Sequence, residues 1–156
     1  MHGIWTLEVG HERTAVFVCA RQFGLDSDQR RRPYGPIKDG RKPAKFIGPG
    51  QYMLLVTQDA RAIFAWRKFI SADGQQGVNC AIFRNEGSEC GMLSSELIRE
   101  AMRLAWIRWL GERLFTYVNP RGVRHKRDPG RCFVKAGWRQ CGTTKARKLI
   151  IFEALP

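Results

Sequence analysis

The sequence predicts an α/β domain of the α+β kind, with a mixed, mostly antiparallel central sheet and flanking helices, on three observations. Between Tyr52 and Phe83 three β-rich runs follow one another with short turn signals between them, the pattern of antiparallel neighbours. One long amphipathic helix is then interposed, wide enough in its apolar arc to cover a sheet. A short capped helix and a hairpin close the chain between Asp128 and Glu153. A length of 156 residues that is 44% apolar and 11% aromatic suits one globular domain over residues 1–156.

Taken in order, Trp5 to Val9 and Thr14 to Ala20 are β-rich runs around the polar Gly10 to Arg13, a hairpin or one interrupted strand. Residues 21–50 turn to Gly, Pro, Asp and basic side chains, among them Arg30, Arg31, Arg32, Lys38, Arg41 and Lys42. A long loop of that kind inside a small domain predicts a mobile basic segment that orders on a phosphate-rich partner; a linker without a role is the plain alternative. Tyr52 to Thr57 and Ala62 to Ile70, joined through Gln58 to Arg61, predict an antiparallel hairpin. Trp66, in the middle of the second run, reads as core or cleft wall rather than a platform for a nucleobase.

Gly77 to Phe83 is the next strand, entered from the Asp73-Gly74 turn and leaving into Arg84 to Gly91. In the helix that follows, Ser94 or Ser95 is the expected cap. Leu97, Ile98, Ala101, Met102, Leu104, Ala105, Trp106 and Trp109 share one arc, while Glu96, Arg99, Glu100 and Arg103 share the other. Ile107 and Arg108 fall on the wrong sides. Leu114 to Asn119 is a strand stopped by Pro120, and the basic insert 120–128 follows, with Arg121, Arg124, His125, Lys126 and Arg127. Asp128 as N-cap, Pro129 at the first helical position and Gly137 as a left-handed stop bracket a short helix. Gln140 to Glu153 then reads as a hairpin, and Lys148 to Phe152 as a strand buried on both faces.

The charge sorts the function classes. Lys and Arg exceed Asp and Glu by 27 to 14, a net +13. Residues 21–45 hold eight basic and three acidic side chains, residues 121–148 ten and one, and the remainder is close to neutral. Segregation of that kind builds a positive potential for a polyanion, so nucleic acid is the expected partner. A solvated basic face, or a rim for the phosphates of a cofactor, is the alternative. There is no apolar run of eighteen residues and no signal-peptide pattern at Met1 to Trp5, so a cytoplasmic, non-membrane protein is expected. Five cysteines without a C-x-x-C pair, and three scattered histidines, predict neither a disulfide framework nor a metal site. A monomer and a homodimer are both compatible with the sequence.

Phe133-Val-Lys-Ala-Gly-Trp138 resembles the F-Y-x-K-x-G-F signature that closes the GNAT acyltransferase fold, and the element order from Tyr52 to Phe152 agrees with that plan. The resemblance implies splayed fourth and fifth strands, and an acetyl-CoA or other acyl-CoA whose pyrophosphate lies at the helix N-terminus after the fourth strand. Arg84-Asn-Glu-Gly87 begins like the family's Q/R-x-x-G-x-G/A pattern; Glu89 stands at the place of the second glycine, and Gly91 arrives two residues later. The implied coenzyme contacts are Arg84, Asn85, Gly87, Ser88, Gly91, Ser94 and Ser95, with Arg131 on the closing helix. Small residues and free N–H donors before a helix are what a phosphate requires; a loop that merely connects is the alternative.

Phe83-Arg-Asn-Glu, Ser94-Ser-Glu-Leu-Ile-Arg-Glu-Ala, Tyr117-Val-Asn-Pro and Lys126-Arg-Asp-Pro-Gly-Arg-Cys-Phe look like small phage-encoded GNAT-like proteins of DNA hypermodification, including Mom-type proteins. The resemblance implies acyl transfer to an amine on a nucleobase, with Glu86 as the base that takes the amine proton and Tyr117 and Asn119 orienting substrate or coenzyme. Arg121, Arg124, His125, Lys126 and Arg127 would grip the substrate's phosphates. The tyrosine that many family members carry in the closing helix is absent here; Cys132 stands in that region, as a proton donor to the leaving thiolate or as a buried free cysteine. An acetyltransferase for a protein or small amine, and a GNAT-shaped DNA-binding protein without catalysis, are the competing readings.

Overall fold

The computed structural model describes residues 5–9, 50–57, 61–87, 91–122 and 128–156. The expected run Thr14 to Ala20, and the basic side chains Arg30, Arg31, Arg32, Lys38, Arg41 and Lys42, lie outside the described residues.

Seven strands form one sheet: β1 (Trp5–Val9), β2 (Gln51–Thr57), β3 (Ala62–Lys68), β4 (Val78–Asn85), β5 (Leu114–Val118), β6 (Arg139–Thr143) and β7 (Ile150–Ala154). Among the described residues two α-helices accompany them, α1 (Ser94–Arg108) and α2 (Arg131–Lys135). The strand order is β1-β2-β3-β4-β5-β7-β6. Every pairing is antiparallel except β4 with β5, because α1 carries the chain back across the sheet between those two strands. The mixed, mostly antiparallel sheet with flanking helices is therefore as the sequence predicts.

The β4–β5 ladder has three rungs, Val78↔Leu114, Asn79↔Phe115 and Cys80↔Thr116, and then stops. Thr116 Oγ1 donates to the Cys80 carbonyl at 3.0 Å, closing the last rung. One residue on, β4 bulges against β3: Cys80 faces Trp66 and Ile82 faces Ala65, leaving Ala81 as the extra residue. A bulge bends the strand that carries it. The outer halves of β4 and β5 thus part from each other, as the expected splay of the fourth and fifth strands requires.

Several boundaries move. β4 runs two residues past Phe83, so Arg84 and Asn85 belong to the strand. β3 ends at Lys68, and Asn119 lies beyond β5. β7 begins at Ile150 because Lys148, at φ 55°, lies in the turn. Neither Ser94 nor Ser95 caps α1. The cap position is Leu93, in an extended conformation, whose N–H donates to Glu96 Oε2 at 2.7 Å. The glutamate three residues on supplies the capping contact, and the Ser94 hydroxyl is engaged elsewhere. Asp128 makes no side-chain cap either: α2 starts three residues later behind Gly130, at φ 77°, and the Asp128 carbonyl accepts from the Arg131 N–H. A side chain at Gly130 would meet the ring of Phe152 at 2.4 Å, so the helix start and β7 are in direct contact there.

The stop of α2 is as expected. Gly137 is left-handed at φ 99°, its N–H donates to the Val134 carbonyl, and the Trp138 N–H donates to that of Phe133. The Phe133 and Trp138 rings meet edge-on at 5.0 Å, the apolar contact that accompanies this type of helix end. Trp66 is core: it is fully buried, donates from Nε1 to the Ala101 carbonyl at 3.0 Å, and lies nearly parallel to Trp138 at 6.2 Å. With Phe64, Leu97, Ile98, Ala101 and Phe152 it fills the space between the sheet and both helices. The expected apolar arc of α1 is buried at Leu97, Ile98, Ala101, Met102, Ala105 and Trp109, and Ile107 is exposed. No helix among the described residues is long and apolar enough to cross a membrane.

Candidate functional site

Because β4 and β5 are parallel, their carboxyl ends lie at the same end of the sheet, and the splay opens there. Asn85, the last residue of β4, organises the loop that follows. Its Oδ1 accepts from the Gly87 N–H at 2.9 Å, and its Nδ2 donates to Ser94 Oγ at 3.1 Å. One side chain therefore fixes the start of the loop and ties it to the first residue of α1. The Asn-x-Gly spacing is an Asx-turn signal. Gly87 and Gly91 both have positive φ, at 87° and 66°, with no atom within 4 Å of where a Cβ would stand. The loop is thus open to an incoming group on both glycines. The N–H groups of Ser94 and Ser95, first in α1, have no carbonyl one turn earlier in the helix to bond, and they share the positive end of the helix dipole.

Arg84 and Glu86 flank Asn85. Their side chains form an ion pair, Nη2 to Oε1 at 2.6 Å, and the Glu86 N–H donates to the Arg61 carbonyl at 2.8 Å, holding the loop against the turn before β3. Arg84, Asn85, Glu86, Gly87, Gly91, Ser94 and Ser95 are thus brought together around one loop. Ser88 lies outside the described residues.

Across the splay, Tyr117 is directed elsewhere. Its hydroxyl donates to Asp73 Oδ1 at 2.7 Å and lies 3.2 Å from Ser71 Oγ. Ser71 itself donates to Asp73, and its hydroxyl accepts from the Gln75 N–H. Burial, with the Asp73 carboxylate adding to it, pushes the Tyr117 phenol up to about 12. Burial works to raise Asp73 as well, but the Ser71 and Tyr117 hydroxyl donors outweigh it and hold the carboxyl below its ordinary value. This Ser71–Asp73–Tyr117 cluster escaped the sequence reading; the Asp73-Gly74 turn was visible, its partner on β5 was not.

Asn119 and Arg121 build the 3-10 turn Pro120–Gly122 that follows β5. Asn119 Oδ1 accepts from the Arg121 N–H at 3.0 Å, and its carbonyl from the Gly122 N–H at 3.1 Å. Both side chains are exposed. Arg124, His125, Lys126 and Arg127 lie outside the described residues. Arg131 is exposed at the start of α2. The next residue, Cys132, is half-buried against the core, and burial raises its thiol. Phe133 reaches from α2 to Phe83 of β4 and Phe152 of β7, with ring centroids 6.1 and 6.5 Å away, and so links strands from the two sides of the splay. Among the described residues no group of three or more His, Cys, Asp or Glu side chains is arranged to hold a metal ion.

This arrangement can receive a phosphate-bearing chain on the glycine loop and helix start, with the reacting end directed into the gap between β4 and β5. The residues present suit coenzyme A in that respect: two open glycines, free first-turn N–H groups and a tethered loop.

No protein-family model and no curated protein matches the chain. Among solved structures, an acyl-CoA N-acyltransferase from Pseudomonas aeruginosa matches with a TM-score of 0.57, covering 96% of this chain and 97% of that one at 12% identity. The likeness is one of fold: the chain is built on the GNAT-like plan.

Proposed function

We propose that the chain is an acyl-coenzyme A-dependent N-acyltransferase whose acceptor amine is carried on a nucleobase in DNA. The observation that carries the first part is the splay of β4 and β5 beside a glycine-open loop held to the start of α1 by Asn85. The fold likeness to an acyl-CoA N-acyltransferase supports the same reaction class. When bound, the coenzyme supplies an acyl group activated as a thioester. Gly91, Ser94 and Ser95 would hold its phosphates through backbone N–H groups, Gly87 would leave room for them because no side chain stands there, and Arg84 and Arg131 would be flanking cations. Glu86 stands at the rim of the gap and would take the proton that the attacking amine loses; its carboxylate must leave or share the Arg84 guanidinium to do so. The DNA acceptor is supported by the concentration of basic side chains in residues 121–148, ten against one acidic. The same loop would serve a protein or small-molecule amine, and the likeness to an N-acyltransferase supports that second reading equally.

The test is to incubate the protein with acetyl-coenzyme A and DNA, with and without aminated bases, and to digest to nucleosides for mass analysis. An added acyl mass is expected, abolished by Glu86→Gln while oligonucleotide binding persists. Absence of coenzyme binding and of any mass change would overturn the proposal. An acylated peptide or polyamine with untouched DNA would move it to the second reading.

A further inference from the structure

The six-residue connection between β6 and β7 is a rigid, cationic turn. The Thr144 N–H donates to the Leu149 carbonyl at 2.8 Å, the Thr144 carbonyl accepts from the Lys148 N–H at 3.1 Å, and its hydroxyl accepts from the Leu149 N–H at 3.0 Å. One threonine thus closes the turn with three hydrogen bonds. Lys145, Arg147 and Lys148 project from it exposed, and among the described residues none has an ion pair or hydrogen-bond acceptor on its side chain. Elsewhere in the described chain Lys68, Arg84, Arg103, Arg113 and Arg139 are paired with carboxylates, and the exposed cations Arg99, Arg108 and Lys135 stand on the two helices rather than clustered on one turn.

Lys148 adds a second, independent sign. At φ 55° it is the sole non-glycine with positive φ among the described residues. A side chain is disfavoured at such a position and glycine is not. Strain kept in an exposed turn points to a use for the side chain it carries. The register places that use: Ile150 pairs with both Thr143 and Val118, so the turn stands beside the end of β5, next to Arg121 and the mouth of the splay.

We propose that the 144–149 turn is a docking surface for the phosphate backbone of a nucleic-acid strand, with Lys145, Arg147 and Lys148 as its contacts. It rests on the nucleic-acid reading given above and adds a site to it. Residues 145–148 offer charge donors on a fixed frame and, in Ala146, one small apolar side chain. That suits a repeating phosphodiester rather than an acidic peptide, whose specific binding needs apolar anchors. A strand held there passes the gap where the acceptor amine must enter.

The test measures binding of a labelled DNA oligonucleotide to the full chain by fluorescence anisotropy across a salt series, with melting temperature and coenzyme A binding followed in parallel. Replacing Lys145, Arg147 and Lys148 together by alanine should weaken binding about tenfold or more, alike for all sequences. It should also lower the slope of log affinity against log salt by about two to three, as loss of three phosphate contacts requires. Lys148→Gly separates binding from folding: it should leave the melting temperature unchanged or raised, since it relieves the backbone, and still weaken binding. Wild-type affinity and slope in both variants would overturn the turn as a docking surface while leaving the DNA acceptor standing. Coenzyme binding without any oligonucleotide binding by the natural chain would overturn both. Polyglutamate bound as tightly as DNA, with the same loss in the variants, would overturn the choice of a phosphodiester.

Discussion

The two ends of the sheet treat charge in opposite ways. At the end where β4 begins, a network of ion pairs closes the sheet. Lys68 pairs with Glu112 at 2.6 Å. Arg113 and Arg139 close on the two oxygens of Glu153 at 2.6 and 2.7 Å, and Arg113 also donates to Gln75 Oε1 at 2.9 Å. Two tryptophans are anchored nearby, Trp109 to Gln51 Oε1 and Trp106 to the Glu112 carbonyl. At the end where β4 and β5 part, Arg84 is paired with Glu86, but Arg121, Arg131, Lys145, Arg147 and Lys148 are exposed without a carboxylate partner among the described residues. Charges that answer one another hold a fold; charges that do not are available to a partner. The difference sets an end held by its own ion pairs against the end where the site is proposed.

The largest effect expected is one that breaks a purely electrostatic version of this comparison. Gly130→Ala lies at the open end, yet it should destabilise the fold by about 3 kcal/mol, combining a side chain at positive φ with overpacking. The new Cβ would stand 2.4 Å from the Phe152 ring. Denaturant unfolding, with Trp138 as reporter of the α2 end, measures it; stability within about 0.5 kcal/mol of the natural chain would show that α2 can shift off β7 freely.

Next comes the closed end. Glu153→Gln removes the charge that two guanidinium groups share, one of them partly buried, and should cost about 2 kcal/mol at neutral pH. The Arg113 hydrogen bond is the main force that holds the Glu153 carboxyl below its ordinary value. A carboxyl lowered on folding contributes stability above its unfolded value and loses it as pH falls through the folded one. The gap between natural chain and variant should therefore be full above about pH 5 and narrow below it. Oligonucleotide binding should change little, and a large loss of it would erase the distinction between the two ends.

What the sequence shows and hides follows from how far each signal reaches along the chain. Period and composition are local, so α1, the β2–β3 hairpin, the closing hairpin and the Gly137 stop are all legible. The place of the splay came from the resemblance alone, and the bulge at Ala81 that sits beside it left no mark in a regular run of β-formers. The expected caps failed because hydroxyl and carboxylate side chains near a helix start have competing partners: Ser94 is held by Asn85, and Glu96 closes the turn instead. Asn85, expected in the loop, ends β4 instead, and its role as a tether leaves no local signal because its second partner is nine residues away. The turn cations Lys145, Arg147 and Lys148 are hidden within the overall charge, because nothing in sequence tells an unpaired lysine from a paired one.

The smallest expected effect probes the joint between the ends. Tyr117 stands one residue short of the end of β5, yet its hydroxyl reaches back to Asp73 and Ser71 at the turn before β4. Tyr117→Phe removes that donor and nothing else, so the loss of stability should stay under about 1 kcal/mol for a half-exposed hydrogen bond. The sharper reading is the carboxyl it serves. Asp73 lies below its ordinary value against the effect of burial, through donors that include Tyr117. Without that hydroxyl its value should rise, so the stability it contributes above that range is lost at a higher pH on acidification than in the natural chain. Carboxyl chemical shifts followed through an acid titration would show the rise. An unmoved Asp73 would mean that Ser71 alone sets it, and that the 71–75 turn and β5 are tied by packing rather than by this bond.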